Sequence, residues 1–449
     1  MRLSVAAALV SFLGSVNADN PIVQTRYTAD PAPMVHDGRV YVFTSHDEDT
    51  AKEFFDMRDW RLYSTDDMMN WLDHGSPMGL DTFDWVKSDA WAGQVVERDG
   101  QFFWYVPMRM KDEERAIGVA VADNITGPYR DAIGEPIVKN DEIDPHTFID
   151  DDGQAYLYWG NPNIWCVELN DDMISMKSDP ISFNLTRETF GPRRDFDSDR
   201  PSSFEEGIWI YKHDELYYAL YAANCCDEDI RYSTAPTPKG PWTYRGVVMK
   251  PQSRAFTNHP GYVEFMGNNY FFYHNGALPA GGGYWRSVAV EQFIYNQDGT
   301  IPTLTMTEDG APQLKNVDPY TRQEAELIAF SRGVGTEPCD DEGGGMNVNR
   351  IRQRDFIKVG GVDFGKTSPS KFYARVASGG NGGSIQLRLD NWERGRKVGE
   401  CEVEPTGGWQ VWKTISCEVA NATGVHDLYF APEDKGNVLF SFNWWKFEQ

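Results

Sequence analysis

The sequence predicts an all-β protein, a five-bladed β-propeller followed by a β-sandwich (jelly-roll) domain. Aromatic residues make up 14% of the chain, and 41 glycines and 25 prolines supply many turns. This composition is typical of strands joined by tight loops. One hairpin pattern recurs five times, and a region of different character follows it. At 449 residues, the chain is long enough for two or three domains.

The first 18 residues are predicted to be a secretory signal peptide. Arg2 precedes an apolar run, Val5–Leu13, and the small residues that follow end at Ala18, where cleavage is expected. The mature chain is therefore expected to be secreted, and no later segment has the roughly 18 apolar residues of a membrane-spanning helix. Three sequons would carry N-glycans in a eukaryotic host. They begin at Asn124, Asn184 and Asn421.

The five hairpin copies define the predicted propeller over residues 19–317. In each copy a short apolar strand leads into a tight turn, and an aromatic-rich strand follows. The turns begin at Asp37, Asp99, Asp152, Asp214 and Gly267, which are 62, 53, 62 and 53 residues apart. A weaker hairpin follows each copy, so every repeat is expected to form a four-stranded blade. The alternative is an array of β-sandwiches, which the regular spacing disfavours.

The leading residue of each blade's first strand is expected to face the central channel. These residues are Asp30, Trp91, Asp144, Glu206 and His259. Three carboxyl groups around one axis repel each other, which raises the pKa of some and leaves others ionised. Glycoside hydrolysis needs such a pair of one protonated and one ionised carboxyl. A divalent-cation site that includes His259 is the competing interpretation.

Asp30 and Glu206 lie three blades apart, which favours a wide separation across the channel. A base that acts through water needs a gap of roughly 6.5–9.5 Å, and the reaction then inverts the anomeric configuration. Trp91 is a candidate platform for a sugar ring. Arg286 is a candidate for neutralising the carboxylates or binding a sugar hydroxyl.

The motifs around these residues resemble glycoside hydrolase family 43 over the first 300 residues. They are Ala29-Asp30-Pro, Ile143-Asp144-Pro, Glu206-Gly and Asn258-His259-Pro-Gly, in this order. The resemblance implies an inverting enzyme with Asp30 as general base, Glu206 as general acid and Asp144 as modulator of the acid's pKa. The adjacent Glu205 leaves the position of the acid ambiguous by one residue. The resemblance also implies that His259 contacts a central calcium ion or water.

A linker over residues 318–322 is predicted to lead into a second domain over residues 323–449. Its short alternating strands and Gly-rich turns predict a β-sandwich. Gln323-Glu324-Ala-Glu326, Gly407-Gly-Trp409 and Phe442-Asn443-Trp resemble carbohydrate-binding module family 6. The resemblance implies a jelly roll with a structural calcium ion, to which Glu324, Glu326 and Asn443 would contribute.

The resemblance also implies a sugar-binding cleft that includes Trp409. Two positions depart from the usual cleft: Arg350 stands where an aromatic residue is expected, and Ser441 stands where an asparagine often lies. The loss of one stacking face removes about 1 kcal/mol of contact. Whether this domain binds sugar therefore stays open at this stage.

Six cysteines are too few for a disulfide scaffold. Cys401 and Cys417 flank a predicted hairpin and are the expected disulfide. The adjacent Cys225 and Cys226 form either a vicinal disulfide or two separate thiols, and the state of Cys166 and Cys339 is left open.

The net charge of −26, from 42 basic and 68 acidic residues, would repel a phosphate backbone, so nucleic acid is not an expected partner. The expected function is a secreted, monomeric, inverting exo-glycosidase. It would release terminal β-D-xylosyl residues from xylan and xylo-oligosaccharides, with α-L-arabinofuranosidase activity beside it and no cofactor required for catalysis. One alternative is an arabinoxylan α-L-arabinofuranosidase as the main activity. An alternative of another class is a non-catalytic, sugar-binding propeller.

Overall fold

The computed structural model describes residues 19–194, 200–251, 254–432 and 438–449. The predicted all-β class is confirmed, because among these residues the only helices are a four-residue α-helix, α1 (Arg187–Phe190), and a 3-10 turn (Leu80–Thr82). The signal peptide predicted for residues 1–18 lies outside the described residues. No helix in the described part is long and apolar enough to span a membrane.

Within the described ranges, five antiparallel sheets follow one another along the chain as far as residue 293, and none of these sheets is closed into a barrel. The first contains β1 (Tyr27–His36), β2 (Arg39–Asp47), β3 (Asp59–Thr65), β4 (Trp71–Asp73) and β5 (Met78–Gly79). The second contains β6 (Val86–Ser88), β7 (Gln94–Arg98), β8 (Gln101–Met110), β9 (Arg115–Ala122) and β10 (Arg130–Asp131). The predicted Asp-Gly turns join β1 to β2 and β7 to β8, and both turn residues have positive φ, as tight hairpins require.

The next three sheets repeat this plan. The third contains β11 (His146–Ile149), β12 (Ala155–Trp159), β13 (Trp165–Glu168) and β14 (Ile181–Ser182). The fourth contains β15 (Phe204–His213), β16 (Leu216–Ala223), β17 (Asp229–Ala235) and β18 (Thr243–Met249). The fifth contains β19 (Gly261–Phe265), β20 (Asn268–Asn275) and β21 (Ser287–Phe293).

The fifth sheet has three strands in the described residues, where the sequence predicts four. The reason is that the N-terminal segment runs along the free edge of β21. The amides of Ile22 and Thr28 donate to the carbonyls of Val288 and Arg286, at 2.9 and 3.0 Å. The last sheet is therefore joined to the start of the chain by hydrogen bonds.

The innermost strands of the five sheets contact each other in a cycle. β1 contacts β7, β7 contacts β11, β11 contacts β15, β15 contacts β19, and β19 contacts β1. Buried aromatic rings from the repeated aromatic-rich strands fill the space between sheets. Phe43 of the first sheet, for example, meets Trp104 of the second edge-to-face, with ring centroids 4.8 Å apart.

The C-terminal region forms two antiparallel sheets around one apolar core. One sheet contains β22 (Gln323–Glu324), β25 (Gly335–Pro338), β26 (Met346–Ile351), β28 (Lys371–Ala377), β31 (Lys413–Glu418) and β33 (Phe440–Glu448). The other contains β24 (Phe330–Arg332), β27 (Phe356–Asp363), β29 (Gly383–Leu389), β30 (Arg396–Val403) and β32 (Val425–Ala431).

One strand of the C-terminal region belongs to the first sheet of the N-terminal region. β23 (Leu327–Ile328) pairs with β4 and extends that sheet. Side chains strengthen the junction: Thr336 Oγ1 donates to Asp73 Oδ2 at 2.6 Å, and Lys358 Nζ lies 2.7 Å from Asp19 Oδ2. The two regions therefore share both a sheet and polar contacts.

Two disulfides are present among the described residues. Cys401 and Cys417 are bonded, but they do not flank a hairpin as the sequence predicts: β30 and β31 belong to opposite sheets, so the bond joins the two layers. Cys225 and Cys226 form a vicinal disulfide. Cys166 and Cys339 are buried free thiols.

Candidate active site

One cavity of about 250 Å³ is lined by all five residues that the sequence places on the axis. Each residue comes from the start of the innermost strand of a different sheet, or from the segment just before it. They are Asp30, Trp91, Asp144, Glu206 and His259. The cavity therefore lies where the five sheets converge. Arg286, which directly precedes β21, lines it as well.

A β-bulge turns Asp30 into the cavity. Ala29 pairs with Ser45 and Ala32 with Phe43, so Asp30 and Pro31 stand opposite the single residue Thr44. Asp30 has a φ of 53°, a left-handed conformation that is uncommon for a non-glycine residue, although aspartate adopts it more readily than most. Asp144 has a similar φ of 59° at the corresponding place in the third sheet.

A second bulge positions Glu206. Between the pairs Glu206–Ala222 and Trp209–Leu220, two residues of β15 oppose one residue of β16. The first of the two, Gly207, has a φ of 67°, and a Cβ there would lie 3.1 Å from His259 Nδ1. Glycine suits this position because any other residue would be strained in this conformation and its Cβ would crowd the histidine ring.

Asp30 is held in its ionised form by a buried cation. Arg286 Nη1 donates to Asp30 Oδ1 at 3.1 Å, and the same guanidinium is clamped by two bonds to Asp47, at 2.9 and 3.0 Å. Ser45 Oγ donates to the other Asp30 oxygen at 2.7 Å. Burial disfavours the charge, but Arg286 and His274 outweigh it and hold the pKa of Asp30 well below its usual range.

Glu206 is held towards its protonated form. Burial, together with the negative charges of Asp30 and Glu205, raises its pKa to about 7. The opposing contact is the side-chain amide of Asn161, which donates to Glu206 Oε2 at 2.6 Å. Glu206 can therefore carry a proton near neutral pH while Asp30 is ionised.

Asp144 lies beside Glu206 and shares its electrostatic environment. Asp144 Oδ2 accepts the backbone N–H of Gly207 at 3.0 Å, which ties the carboxyl to the bulge that carries Glu206. Burial and the charges of Glu206 and Asp30 raise the pKa of Asp144. Because these charges oppose its ionisation, Asp144 retains a proton more readily than an isolated carboxyl would.

Glu205 and Glu206 are adjacent in sequence, but their side chains have different partners. Glu205 is paired with two cations, Arg193 at 3.4 Å and Arg200, and it accepts the amide N–H of Cys225 at 3.2 Å. Its oxygens are therefore engaged in two ion pairs and a backbone hydrogen bond. Glu206 instead accepts a hydrogen bond from the neutral side-chain amide of Asn161, which suits a carboxyl that keeps its proton.

His259 is not the centre of a cluster of metal-ligand side chains in the described residues. Its Nδ1 lies 3.9 Å from Asp144 Oδ2, and burial lowers its pKa to about 4, so the ring is neutral near pH 7. Among the described residues, the three side chains that lie close enough to bind one metal ion together are His46, Glu48 and Asp59, and none of them lines this cavity. His46 already bonds to Asp59 in that set, at 2.6 Å.

An aromatic wall borders the mouth of the cavity. Phe54 is 56% exposed and lies 6.5 Å from Trp91 and 6.1 Å from Tyr284, measured between ring centroids. Phe55 and Phe256 line the cavity behind it, and Phe55 also lies under the Arg286 guanidinium at 4.4 Å. An exposed ring flanked by partly exposed rings beside a polar pocket suits the flat faces of sugars.

Several functional residues were not predicted from the sequence. Asp47 and Ser45 come from β2, and Asn161 comes from the loop after β12. The sequence argument considers only the leading residue of each blade's first strand, so it does not reach them. The sequence pattern that could have indicated Ser45 and Asp47 is the presence of polar residues at the C-terminal end of an aromatic-rich strand. In an antiparallel hairpin this end lies beside the start of the first strand, where the axial residue stands. Phe54 and Cys225 lie on loops that carry no such pattern.

In the C-terminal domain, Trp409 lies between β30 and β31 and is 39% exposed. Its indole packs so closely on the backbone of Gly379 that a Cβ there would lie 2.9 Å from the ring nitrogen. Arg350 is exposed and Ser441 is buried. One face of Trp409 is therefore supported by glycine backbone while part of the ring faces solvent.

The predicted calcium ligands divide into two groups. Glu326 Oε2 and Asn443 Oδ1 are buried and have no hydrogen-bond partner within the described ranges. Such unsatisfied oxygens fit a hard cation. Glu324 differs, because it is paired with Arg322 at 2.8 Å and is partly exposed.

Comparison with known proteins places both domains. Residues 18–301 match the model of glycosyl hydrolases family 43, and residues 324–449 match carbohydrate binding module (family 6). An arabinoxylan arabinofuranohydrolase of Paenibacillus polymyxa is 33% identical over 95% of this chain and 74% of its own length. A xylosidase/arabinosidase of Humicola insolens is 32% identical over 63% of this chain and 98% of its own. The crystal structure of a family 43 arabinoxylan arabinofuranohydrolase from Bacillus subtilis, in complex with cellotetraose, superposes with a TM-score of 0.81. It is 29% identical, and 97% of this chain and 99% of that chain are covered.

Proposed function

Because the chain belongs to glycosyl hydrolase family 43 and carries a family 6 carbohydrate-binding module, we propose that it is an arabinoxylan α-L-arabinofuranosidase. The predicted enzyme class is confirmed: the protein is a glycoside hydrolase of an inverting family that acts without cofactors. Family membership also argues against the alternative of a non-catalytic, sugar-binding propeller.

One observation carries the choice of substrate. Two relatives that are 33% and 31% identical over 95% and 100% of this chain are arabinoxylan arabinofuranohydrolases. A xylosidase/arabinosidase relative at 32% identity matches 63% of the chain, and one that matches 93% of the chain is 24% identical. This contrast supports arabinofuranosyl release as the main activity, in preference to the β-xylosidase activity favoured by the sequence alone. The exposed aromatic wall beside the pocket is consistent with a polymer that extends beyond the reacting sugar.

We assign the three carboxyl groups the roles that their environments favour. Asp30, ionised beside Arg286, draws a proton from a water molecule that attacks the anomeric carbon. Glu206 gives its proton to the leaving glycosidic oxygen. Asp144 fixes the bulge that carries Glu206 through the Gly207 amide, and we assign it the role of modulating the pKa of Glu206 by like-charge repulsion. Together these roles amount to single-displacement hydrolysis with inversion.

The cyclic contacts of the innermost strands support a five-bladed propeller as the catalytic domain, over residues 19–317. The linker 318–322 and the binding domain 323–449 complete the proposed organisation. We also propose secretion, in keeping with the N-terminal pattern and with the exposure of Asn124, Asn184 and Asn421. A structural calcium ion in the binding domain would be held by Glu326 and Asn443, and no catalytic step depends on it.

The proposed substrate is tested by initial rates on 4-nitrophenyl α-L-arabinofuranoside and 4-nitrophenyl β-D-xylopyranoside, with sugar analysis after digestion of arabinoxylan. We expect the arabinofuranoside rate to dominate and arabinose to be the monosaccharide released. A dominant xyloside rate, or xylose as the main product, would instead establish a β-xylosidase. No reaction with any of the three would contradict an exo-acting enzyme.

The pH dependence of kcat/KM follows from the state of Glu206. A general acid must be protonated, so kcat/KM is expected to fall as the pH rises through about 7, the pKa of Glu206. Asn161→Ala removes a hydrogen bond that favours the ionised carboxylate. The pKa of Glu206 should therefore rise, and the alkaline limb should move to higher pH.

The neighbouring amide supplies a matched control for this prediction. Asn163 donates to Glu142 Oε1 at 2.8 Å, a carboxyl outside the cavity lining. Asn163→Ala should therefore leave the alkaline limb where it is in the wild type. If the alkaline limb of the kcat/KM profile does not move in Asn161→Ala, or moves equally in both variants, then Glu206 is not the group whose ionisation sets it.

A further inference from the structure

The vicinal disulfide lies at the catalytic pocket. Cys225 follows β16, whose residue Ala222 pairs with Glu206, and Cys225 lines the same cavity as the three carboxyl groups. Cys225 is half-buried and Cys226 is exposed. One sulfur of the bond thus belongs to a residue of the cavity wall, and the other to a residue that faces solvent.

Hydrogen bonds fix this turn to two other walls of the pocket. The Cys225 amide donates to Glu205 Oε2 at 3.2 Å, and the amides of Asp227 and Glu228 donate to the carbonyl of Phe256 at 3.2 and 3.1 Å. Glu228 Oε2 in turn accepts the amide of Asn258 at 2.7 Å. The turn is therefore held in place independently of the bond between the sulfurs.

The bond is poorly placed to act as a staple for the fold. A disulfide stabilises mainly by restricting the unfolded chain, and the restriction grows with the length of the closed loop. Cys225 and Cys226 are adjacent, whereas Cys401 and Cys417 are 16 residues apart and join two sheets. The second bond has a structural role on these grounds, and the first gains little from the same effect.

We infer that the Cys225–Cys226 disulfide is a substrate-contacting surface of the pocket, against which the apolar edge of the bound sugar rests. The bonded sulfurs present a polarisable, weakly polar face without an N–H or O–H donor. Charged and amide groups around them, Asp30, Glu206 and Asn161, are suited to the hydroxyls. This inference rests on the proposed glycosidase function and adds a determinant of sugar binding.

The direct test uses the wild-type protein and measures protection by sugar. A dithiol reductant converts each disulfide to two thiols, iodoacetamide alkylates them, and mass spectrometry follows each pair separately. L-arabinose is expected to slow the labelling of Cys225 and Cys226 while the Cys401–Cys417 pair keeps its rate. Equal labelling with and without L-arabinose and D-xylose would overturn the inference. Protection by D-xylose alone would retain the contact and instead contradict the proposed arabinose preference.

A pair of double variants gives a second test. Cys225→Ser/Cys226→Ser is expected to raise KM by roughly tenfold, with kcat little changed and Tm near the wild-type value. Cys401→Ser/Cys417→Ser is expected to lower Tm and to leave KM unchanged at temperatures well below it. If the first variant lowers Tm and leaves KM unchanged, the bond is structural and the inference is wrong. The protection assay decides the matter if that variant does not fold.

Discussion

Glu206→Gln is expected to lower kcat on arabinoxylan by about 10²–10⁴-fold, the usual contribution of general acid–base catalysis. The loss should be much smaller on an arabinofuranoside with a 2,4-dinitrophenolate leaving group. The glycosidic oxygen of a sugar leaving group must be protonated as its bond breaks, whereas dinitrophenolate leaves as a stable anion without a proton. Glutamine keeps the shape of the side chain and its contact with Asn161, so the change removes the proton and little else.

The matched variant is Glu205→Gln. Glu205 is tied to Arg193, Arg200 and the amide of Cys225, so its loss leaves two buried or half-buried cations less well paired. We expect a lower Tm and a rate loss that is similar for good and poor leaving groups. Rates on the two substrates, measured for both variants, separate the roles. If Glu205→Gln loses much more rate on arabinoxylan than on the dinitrophenyl substrate, and Glu206→Gln does not, then Glu205 is the general acid.

The axial residues could be predicted because a propeller repeats in sequence as well as in space. Each tight turn marks the end of a first strand, and the residue at the other end of that strand must face the axis. This relation identified Asp30, Trp91, Asp144, Glu206 and His259 as neighbours although they span 230 residues, and the cavity lining brings them together. A local pattern thus located long-range contacts.

The partners of these residues could not be predicted in the same way. Asp47 clamps Arg286 across 239 residues of sequence, and no spacing rule links the two positions. The bulges at Asp30 and Glu206 are also invisible in the pattern, because a bulge changes pairing by one residue without changing composition. The sequence therefore located the carboxyl groups but not the contacts that set their pKa values.

The differences between the predicted and the observed fold also arise from contacts between residues that are far apart in sequence. In the part of the chain that the structure describes, the fifth sheet has three strands and the N-terminal segment bonds to its edge, a contact between the two ends of the domain. The Cys401–Cys417 pair was expected across a hairpin, but the two strands belong to opposite layers of the sandwich. Local alternation of residues predicts strands, whereas their partners depend on packing of the whole domain.

Asp30→Asn is expected to reduce kcat by about 10²–10⁴-fold on arabinoxylan and on the activated dinitrophenyl substrate alike. Activation of the attacking water is needed whatever group leaves, so the loss should not depend on the leaving group. This uniform loss is the opposite of the pattern expected for Glu206→Gln. The fold should persist, because Asp47 still clamps Arg286 through two hydrogen bonds.

Circular dichroism and Tm check that the Asp30→Asn variant is folded, and rates on both substrates then test the role of Asp30. Proton NMR of the first sugar released by the wild type supplies the stereochemical control, which should show the inverted anomer. A variant that loses activity only on the polymer would make Asp30 a binding residue. The combination of a uniform loss at Asp30 and a leaving-group-dependent loss at Glu206 distinguishes base from acid, because an exchange of the two roles would reverse both patterns.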